Sequence, residues 1–433
     1  MTFEVKPLST LVTYLQRGVS PKYADVGIPV VNQKCIRDGH LKFVDIKFQS
    51  SEKSFAPEKV LQEGDILVNS TGVGTLGRVA RFTGVSKHAI ADSHVTIVRP
   101  NSDFVNPGYL FYALRLSEPG IVEMAAGSTG QTELSRIALG GLSITIPGRP
   151  REEFISTLFT SIDTKIRLNE QLSKTLEEIA QTIFKSWFID FDPVKAKMAG
   201  EKPVGMDAAT AALFPDSMED SELGFIPTAW AVRELGDVLL TIESGKRPKG
   251  GSQSSGVPSL GAESIRGLGE FDFSSTKFIP HVFYAGMPTG KVKPFDVLIY
   301  KDGAGAGSYV SMFGGNFPFA EYAINEHVFL LRANQIPQSY LYFWMNLDSQ
   351  KRLMVELAQK SAQPGLNQKD MKSISTLVPS TEILNTFDNL MKPFIAQIMS
   401  NSAENQTLSK IRDALLPRLI SGELQIPEEM LTS

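Results

Sequence analysis

The sequence predicts an α+β protein: two pseudo-repeated mixed α/β domains joined by two long helices packed as an antiparallel coiled coil. Three observations predict it. Steps of seven residues from Ile155 meet Ile155, Ile162, Asn169, Leu176 and Ile183, with Leu158, Phe159, Ile166, Leu172, Ile179 and Trp187 as apolar companions. A stripe of that period is a coiled-coil seam, here with one polar residue at its middle. Adding 232 to each number gives Phe387, Phe394, Asn401, Leu408 and Leu415, a second stripe again centred on asparagine. The segments preceding the two helices also match, at offsets of 227 to 233, so the chain reads as two copies of one plan.

Residues 1–150 form the first mixed domain. Ile28–Val31 is a short apolar run, and Gly64–Asn69 is a turn leading into a buried strand. Arg78–Phe82 alternates, His94–Val98 is rich in β-formers, and Tyr109–Leu114 suits a short helix. A polar loop over 127–132 follows, and Ile144–Pro147 closes the domain with a strand ended by proline. The first long helix occupies 151–190, with Glu152 and Glu153 in its first turn, where the helix dipole favours acids. Residues 191–221 hold Gly200, Pro203, Gly205 and Pro215 without a sustained period and read as a linker.

The second domain, 222–380, repeats the first. Leu235, Gly245 and Pro248 stand in the places of Leu8, Gly18 and Pro21. Phe295–Ile299 matches Gly64–Val68, Glu326–Leu330 matches Ser93–Ile97, and Leu377–Pro379 matches Thr145–Pro147. The second long helix covers 381–424, with Ser380 as N-cap and Gly422 as its stop; 425–433 is a tail. Residues midway along two antiparallel helices meet at their pseudo-twofold axis. This predicts that Asn169 and Asn401 approach one another and set the register.

A chain of 433 residues is long enough for two or three cored domains, and its hydrophobic fraction of 42% is that of a soluble protein. The single cysteine, Cys35, excludes an intramolecular disulfide and fits a reducing compartment. The start of the chain lacks a signal-peptide layout, and no apolar run approaches the roughly 20 residues that span a bilayer. A cytoplasmic location is expected. The net charge of −4 does not favour nucleic acid, but residues 1–150 carry 16 Lys+Arg against 13 Asp+Glu, and 222–380 carry 15 against 14. A mildly basic face is available; a strongly basic one is not.

Gly72-Val73-Gly74-Thr75-Leu76-Gly77 fits the dinucleotide-binding spacing, and Asp302–Gly307 resembles the glycine-rich loop of a methyl-donor site. Neither is followed by a helix pattern, so neither can aim backbone amides at a phosphate. Both read better as tight turns that let the backbone approach a partner. Five histidines and one cysteine show no metal-ligand spacing, and no metal is expected. Paired acids such as Glu177-Glu178 lie on the long helices and read as a solvated face, so no catalytic constellation emerges.

Positive charge gathers in two acid-free stretches. Residues 66–91 carry Arg78, Arg81, Lys87 and His88, and residues 244–262 carry Lys246, Arg247 and Lys249 among Gly and Ser. Small residues beside Lys and Arg suit phosphate contact, although ordinary surface loops have the same composition. Gln131, Thr132, Gln363 and Asn367 carry side chains able to read base edges, and Thr71, Lys301 and Lys369 join them as candidate DNA contacts.

Three segments carry a family resemblance. They are Leu176–Val194, Ser221–Pro227 with Trp230, and Leu415–Leu424 with its core Leu-Pro-Arg-Leu-Ile-Ser-Gly-Glu-Leu. With the internal repeat, they make the chain resemble, over nearly its whole length, the specificity subunits of Type I restriction–modification systems. The resemblance implies two target recognition domains, each reading half of a split site in double-stranded DNA, and a helical ruler roughly 60 Å long between them. It implies two adenine methyltransferase subunits as partners, with restriction subunits joining for cleavage. S-adenosylmethionine, ATP and Mg are then expected on those partners, with no cofactor in this chain. Trp187 and Phe188 are candidates either for a docking surface or for a cap on the helix–helix core. Two other readings are a methyltransferase using Gly303–Gly307, which would bind S-adenosylmethionine, and a coiled-coil adaptor, which would not bind DNA.

Overall fold

The computed structural model describes residues 3–431 apart from 43–45, 51, 53, 84–87, 126–132, 316 and 361–363. Two compact units divide the chain: Met1–Lys165 with Leu408–Ser433, and Ile166–Thr407. Each long helix therefore contributes one end to each unit.

In the first unit, a four-stranded antiparallel sheet runs in the order Val12–Arg17, Val95–Pro100, Ile66–Asn69, Val79–Arg81. A second sheet orders Ile90–Ala91, Ile28–Val31, Lys47–Gln49 and Tyr23–Ala24, with Ile90 pairing parallel to Val30. A ribbon of Glu4–Pro7 with Ser143–Ile146 completes the frame. Val31, Leu67, Ala80, Val95 and Ile97 form one apolar cluster between the strands. Strands as short as Ile66–Asn69 are buried on both faces, which is why their sequence does not alternate.

The second unit repeats this plan. Leu239–Ser244, Val328–Ala333, Val297–Tyr300 and Val310–Met312 form its four-stranded sheet. Ala323–Ile324 lies parallel to Val257–Leu260, and Ala231–Glu234 pairs with Ser375–Val378. The repetition extends to single interactions. Arg99 Nε bonds Asp65 at 2.8 Å, and Arg332 Nε bonds the equivalent Asp296 at 2.7 Å. Tyr109 donates to the Thr145 carbonyl at 2.6 Å, and Tyr340 to the Leu377 carbonyl at 2.7 Å. Gly18 and Gly245 each abut the end of the parallel strand, where an added Cβ would collide with the carbonyl of Ala91 or Ile324. Only glycine allows that approach.

The long helices span Arg149–Phe188 and Thr381–Ser421, of 40 and 41 residues. The hydroxyl of Ser380 accepts from the Ile383 amide at 3.4 Å, and Gly422 takes φ +78° after the last turn. Within the second unit the helices run antiparallel, because Ile166 meets Asn405, Ser173 meets Asn401, and Phe184 meets Phe387. Of the expected seam positions, Ile155, Ile162, Asn169, Phe387 and Asn401 are buried, while Leu176, Ile183, Phe394, Leu408 and Leu415 are partly so. The companion face differs from the expectation. The positions three residues on, Leu172 and Ile179, are exposed, whereas those four residues on include the buried Phe159, Ala180 and Trp187. A seam of alternating four- and three-residue steps admits only one companion per heptad, and here it lies at i+4.

The segment expected as a linker, 191–221, is structured. It contains helices Asp192–Met198 and Ala208–Leu213 and enters the hairpin strand Met218–Ser221. Val194 and Phe214 are buried, and Phe214 packs edge-on to Trp187 at 5.1 Å. Two anchors spaced twenty residues apart produce no period, so this packing left no sequence signal. Trp187 and Phe188 lie inside the same aromatic core, with Phe188 5.0 Å from Tyr340 and 5.1 Å from Phe387. They cap the core rather than line a surface. Among the described residues, no helix is long and apolar enough to cross a membrane.

Candidate nucleic-acid interface

Both glycine loops are turns between antiparallel strands. Gly72–Gly77 leads into Val79–Arg81, and Gly303–Gly307 precedes Val310–Met312. No helix opens after either, so the dinucleotide and methyl-donor readings lose their structural requirement. In each unit the loop is instead the centre of a three-way junction.

In the first unit, the Ser70 amide donates to the His94 carbonyl, and the Leu134 amide donates to the Ser70 carbonyl, both at 2.9 Å. In the second unit, Lys301 donates to His327 and Leu366 to Lys301, again at 2.9 Å. The turn before each histidine is held alike: Asp92 Oδ1 accepts from the His94 amide, and Asn325 Oδ1 from the His327 amide, both at 2.9 Å. A strand end, a histidine turn and the exit of a polar loop thus converge twice on the same backbone frame.

The side chains on that frame differ. In the first unit, Thr71 Oγ1 lies 2.9 Å from His94 Nδ1 and accepts from the Gln33 amide. Arg17 bonds Glu133 at 2.8 Å, the Leu134 carbonyl at 2.7 Å and the Ser93 carbonyl at 3.4 Å. Burial lowers the pKa of its guanidinium, partly opposed by Glu133. Tyr23 donates to Asp92 at 2.7 Å, and burial followed by that bond raises its pKa. The result is a corner built on the Arg17–Glu133 ion pair, with its arginine engaged by three acceptors.

In the second unit the equivalent corner is charged. His327 Nδ1 lies 3.4 Å from Asp302, and its Nε2 lies 3.4 Å from Glu326. Lys301 pairs with Asp302 at 3.2 Å, and Arg247 Nε pairs with Glu326 at 3.2 Å. Arg247, Lys246 and Lys249 are exposed on the loop that starts at Gly245.

The structure sorts the candidate DNA contacts. Thr71, Lys301, Arg247, Lys246 and Lys249 lie at or beside these corners. Arg78 is half-buried and His88 exposed. Arg81 is turned away, its guanidinium over the Phe111 ring at 5.7 Å, where it serves packing. Asn367 is also withdrawn from the role of base reader. It caps the helix Gln368–Lys372, accepting from the Asp370 amide at 2.9 Å and donating to its carboxylate at 2.8 Å. Its position before a short helix makes capping the better use of its amide. Lys369 is exposed on that helix. Lys87, Gln131, Thr132 and Gln363 fall outside the described residues.

Sequence reasoning missed His94, His327, Gln33, Arg17 and Glu326 as site residues. The two histidines did leave a signal, a shared Xaa-His-Val step at offset 233, but it served only to align the repeats. Gln33, Arg17 and Glu326 left none, because tertiary packing alone brings them to the corners. Among the described residues, no three His, Cys, Asp or Glu side chains are grouped to hold a metal ion.

Residues 3–178 match the family described as the Type I restriction modification DNA specificity domain. Over 414 residues the chain is 27% identical to the Type I restriction enzyme HindI specificity subunit of Haemophilus influenzae, covering 85% of this chain and 88% of that one. It is 25% identical over 324 residues to the MjaIX specificity subunit of Methanocaldococcus jannaschii, covering 74% and 69% respectively. Its fold is similar to the crystal structure of the S subunit of a Type I restriction–modification system from M. genitalium, with TM-score 0.60, 14% identity, and coverage of 97% and 96%. With its repeated domains and paired long helices, the chain is similar over most of its length to the specificity subunits of Type I restriction–modification systems.

Proposed function

We propose that this chain is the non-catalytic DNA-recognition subunit of a Type I restriction–modification complex, reading a two-part site with one half per domain. One observation carries this reading: the histidine corner recurs with the same backbone hydrogen bonds but different side chains. A constant frame with variable side chains is what two readers of different sequences require. Base contacts specify while phosphate contacts position, and each corner offers polar side chains beside exposed or partly exposed cations.

Two adenine methyltransferase subunits would dock on the helices, with restriction subunits joining through them. Ile179 and Ile411 stand at repeat-equivalent positions and are 43% and 41% exposed, so two identical partners would each find an isoleucine. S-adenosylmethionine, ATP and Mg would be bound by those partners.

Replacing residues 1–150 by the corresponding domain of another such subunit tests the reading. Mapping methylated adenines in a host genome should show one half of the recognised site changed and the other kept. If both halves changed, or neither did, one-domain-per-half recognition would be wrong.

A further inference from the structure

We propose that Arg247 is a specificity-determining residue of the second domain, reading a guanine, and that Glu326 is its positioning residue. The inference rests on the DNA-recognition reading above and assigns a base contact within it.

Arg247 lies in an acid-free loop with Lys246 and Lys249, and composition alone would assign all three to phosphates. Their settings differ. Glu326 Oε1 forms an ion pair with Arg247, 3.2 Å from its Nε, and the guanidinium side chain remains about half exposed, at 48%. An arginine ion-paired at its Nε keeps both terminal nitrogens for a further partner. That fork matches the O6 and N7 acceptors of guanine in the major groove.

The acid that holds it is itself held. The same Glu326 oxygen lies 3.4 Å from His327 Nε2, and the other ring nitrogen lies 3.4 Å from Asp302, which pairs with Lys301. The Glu326 carbonyl accepts from Lys301 Nζ and from Ser244 Oγ, both at 3.2 Å. At the other end, Gly245 pins the start of the loop against the Ile324 carbonyl. Arg247 therefore projects from a loop fixed at its base, beside a carboxylate whose Oε1 also faces His327 and whose backbone carbonyl is tied to Lys301 and Ser244. A phosphate contact needs no such buttress, because a flexible lysine suffices as a point charge.

The first domain has no counterpart. At the offset of 227 that relates Gly245 to Gly18, Arg247 corresponds to Ser20. Arg17, the arginine of that corner, is engaged by three acceptors. The proposal therefore concerns one half-site only.

The test is selection from a random duplex library by the full chain assembled with its methyltransferase partner, comparing wild type, Arg247→Lys, Glu326→Gln and Lys249→Ala. Wild type should select a split site containing a guanine that Arg247→Lys no longer prefers, with a loss of roughly tenfold or more at that position. Glu326→Gln should weaken the same position less, and the other half should stay unchanged. Lys249→Ala should weaken all sequences alike. Should Arg247→Lys keep the wild-type preference, or weaken all sequences alike, Arg247 contacts phosphate and the assignment is wrong. Should wild type select no sequence at all, the DNA-recognition reading fails and this assignment with it. Thermal melting of each variant separates lost recognition from lost folding.

Discussion

Asn401 donates its side-chain amide to the backbone carbonyl of Asn169, 3.4 Å away, and to Ser173 Oγ at 3.0 Å. Asn169 returns the contact one turn further along, donating to Asn405 Oδ1 at 2.9 Å and to Glu404 at 2.8 Å. The two asparagines meet, but not as a symmetric side-chain pair. Each reaches the residue four positions beyond the other, so the seam is locked by two staggered bonds. Replacing Asn401 by Ala should leave buried groups without partners and cost about 1–3 kcal/mol. Denaturant unfolding checks this; an unchanged midpoint would show that the asparagine does not hold the register.

Asp163 carries the polar end of the seam in the first unit. It accepts from Tyr112 at 2.9 Å, Arg115 at 3.1 Å and Arg412 at 2.9 Å, and its side chain is only 6% exposed. The repeat-equivalent residues of Asp163 and Arg412 in the other unit, Ile395 and Ala180, are apolar and buried. Asp163→Ala would leave the half-buried Arg115 without its ion-pair partner. We expect a loss of about 3–5 kcal/mol, far more than a surface pair would give. A calorimetric shift as small as that of Lys174→Ala, whose exposed pair with Glu178 spans 3.7 Å, would contradict it.

His40 gives the first unit a pH dependence. Burial lowers its pKa, and Arg115 and Arg412 push the same way against Asp163. The folded state therefore holds the proton less tightly than the unfolded chain. This contribution is fully present above the unfolded value, about 6.5, and is lost as pH falls below it. The melting temperature should drop between pH 7.5 and 5.5, and His40→Asn should flatten that slope. An identical slope in the variant would assign the effect to another group.

Lys246 and Lys249 should behave differently from Arg247. If each neutralises one phosphate, removing either should reduce the slope of log affinity against log salt by about 1, whatever the DNA sequence. Binding titrations at several salt concentrations on cognate and scrambled duplexes provide the measurement. A sequence-dependent loss would move these lysines into the reading set.

The sequence by itself determined the architecture. A heptad stripe, its copy 232 residues later and a frame repeating at nearly constant offset are local patterns, and the physics behind them acts over a few residues. Such patterns could not decide which face of each helix is covered, because Leu172 and Ile179 are as apolar as their buried neighbours. Only packing chose i+4 over i+3. Packing also ordered 191–221 around Val194 and Phe214, took Asn367 for a helix cap and turned Arg81 onto Phe111. The corners themselves join residues as distant in sequence as Gln33 with Thr71 and Arg247 with Glu326. Their geometry depends on which strand ends converge, and that is settled only when the sheets close over a common core.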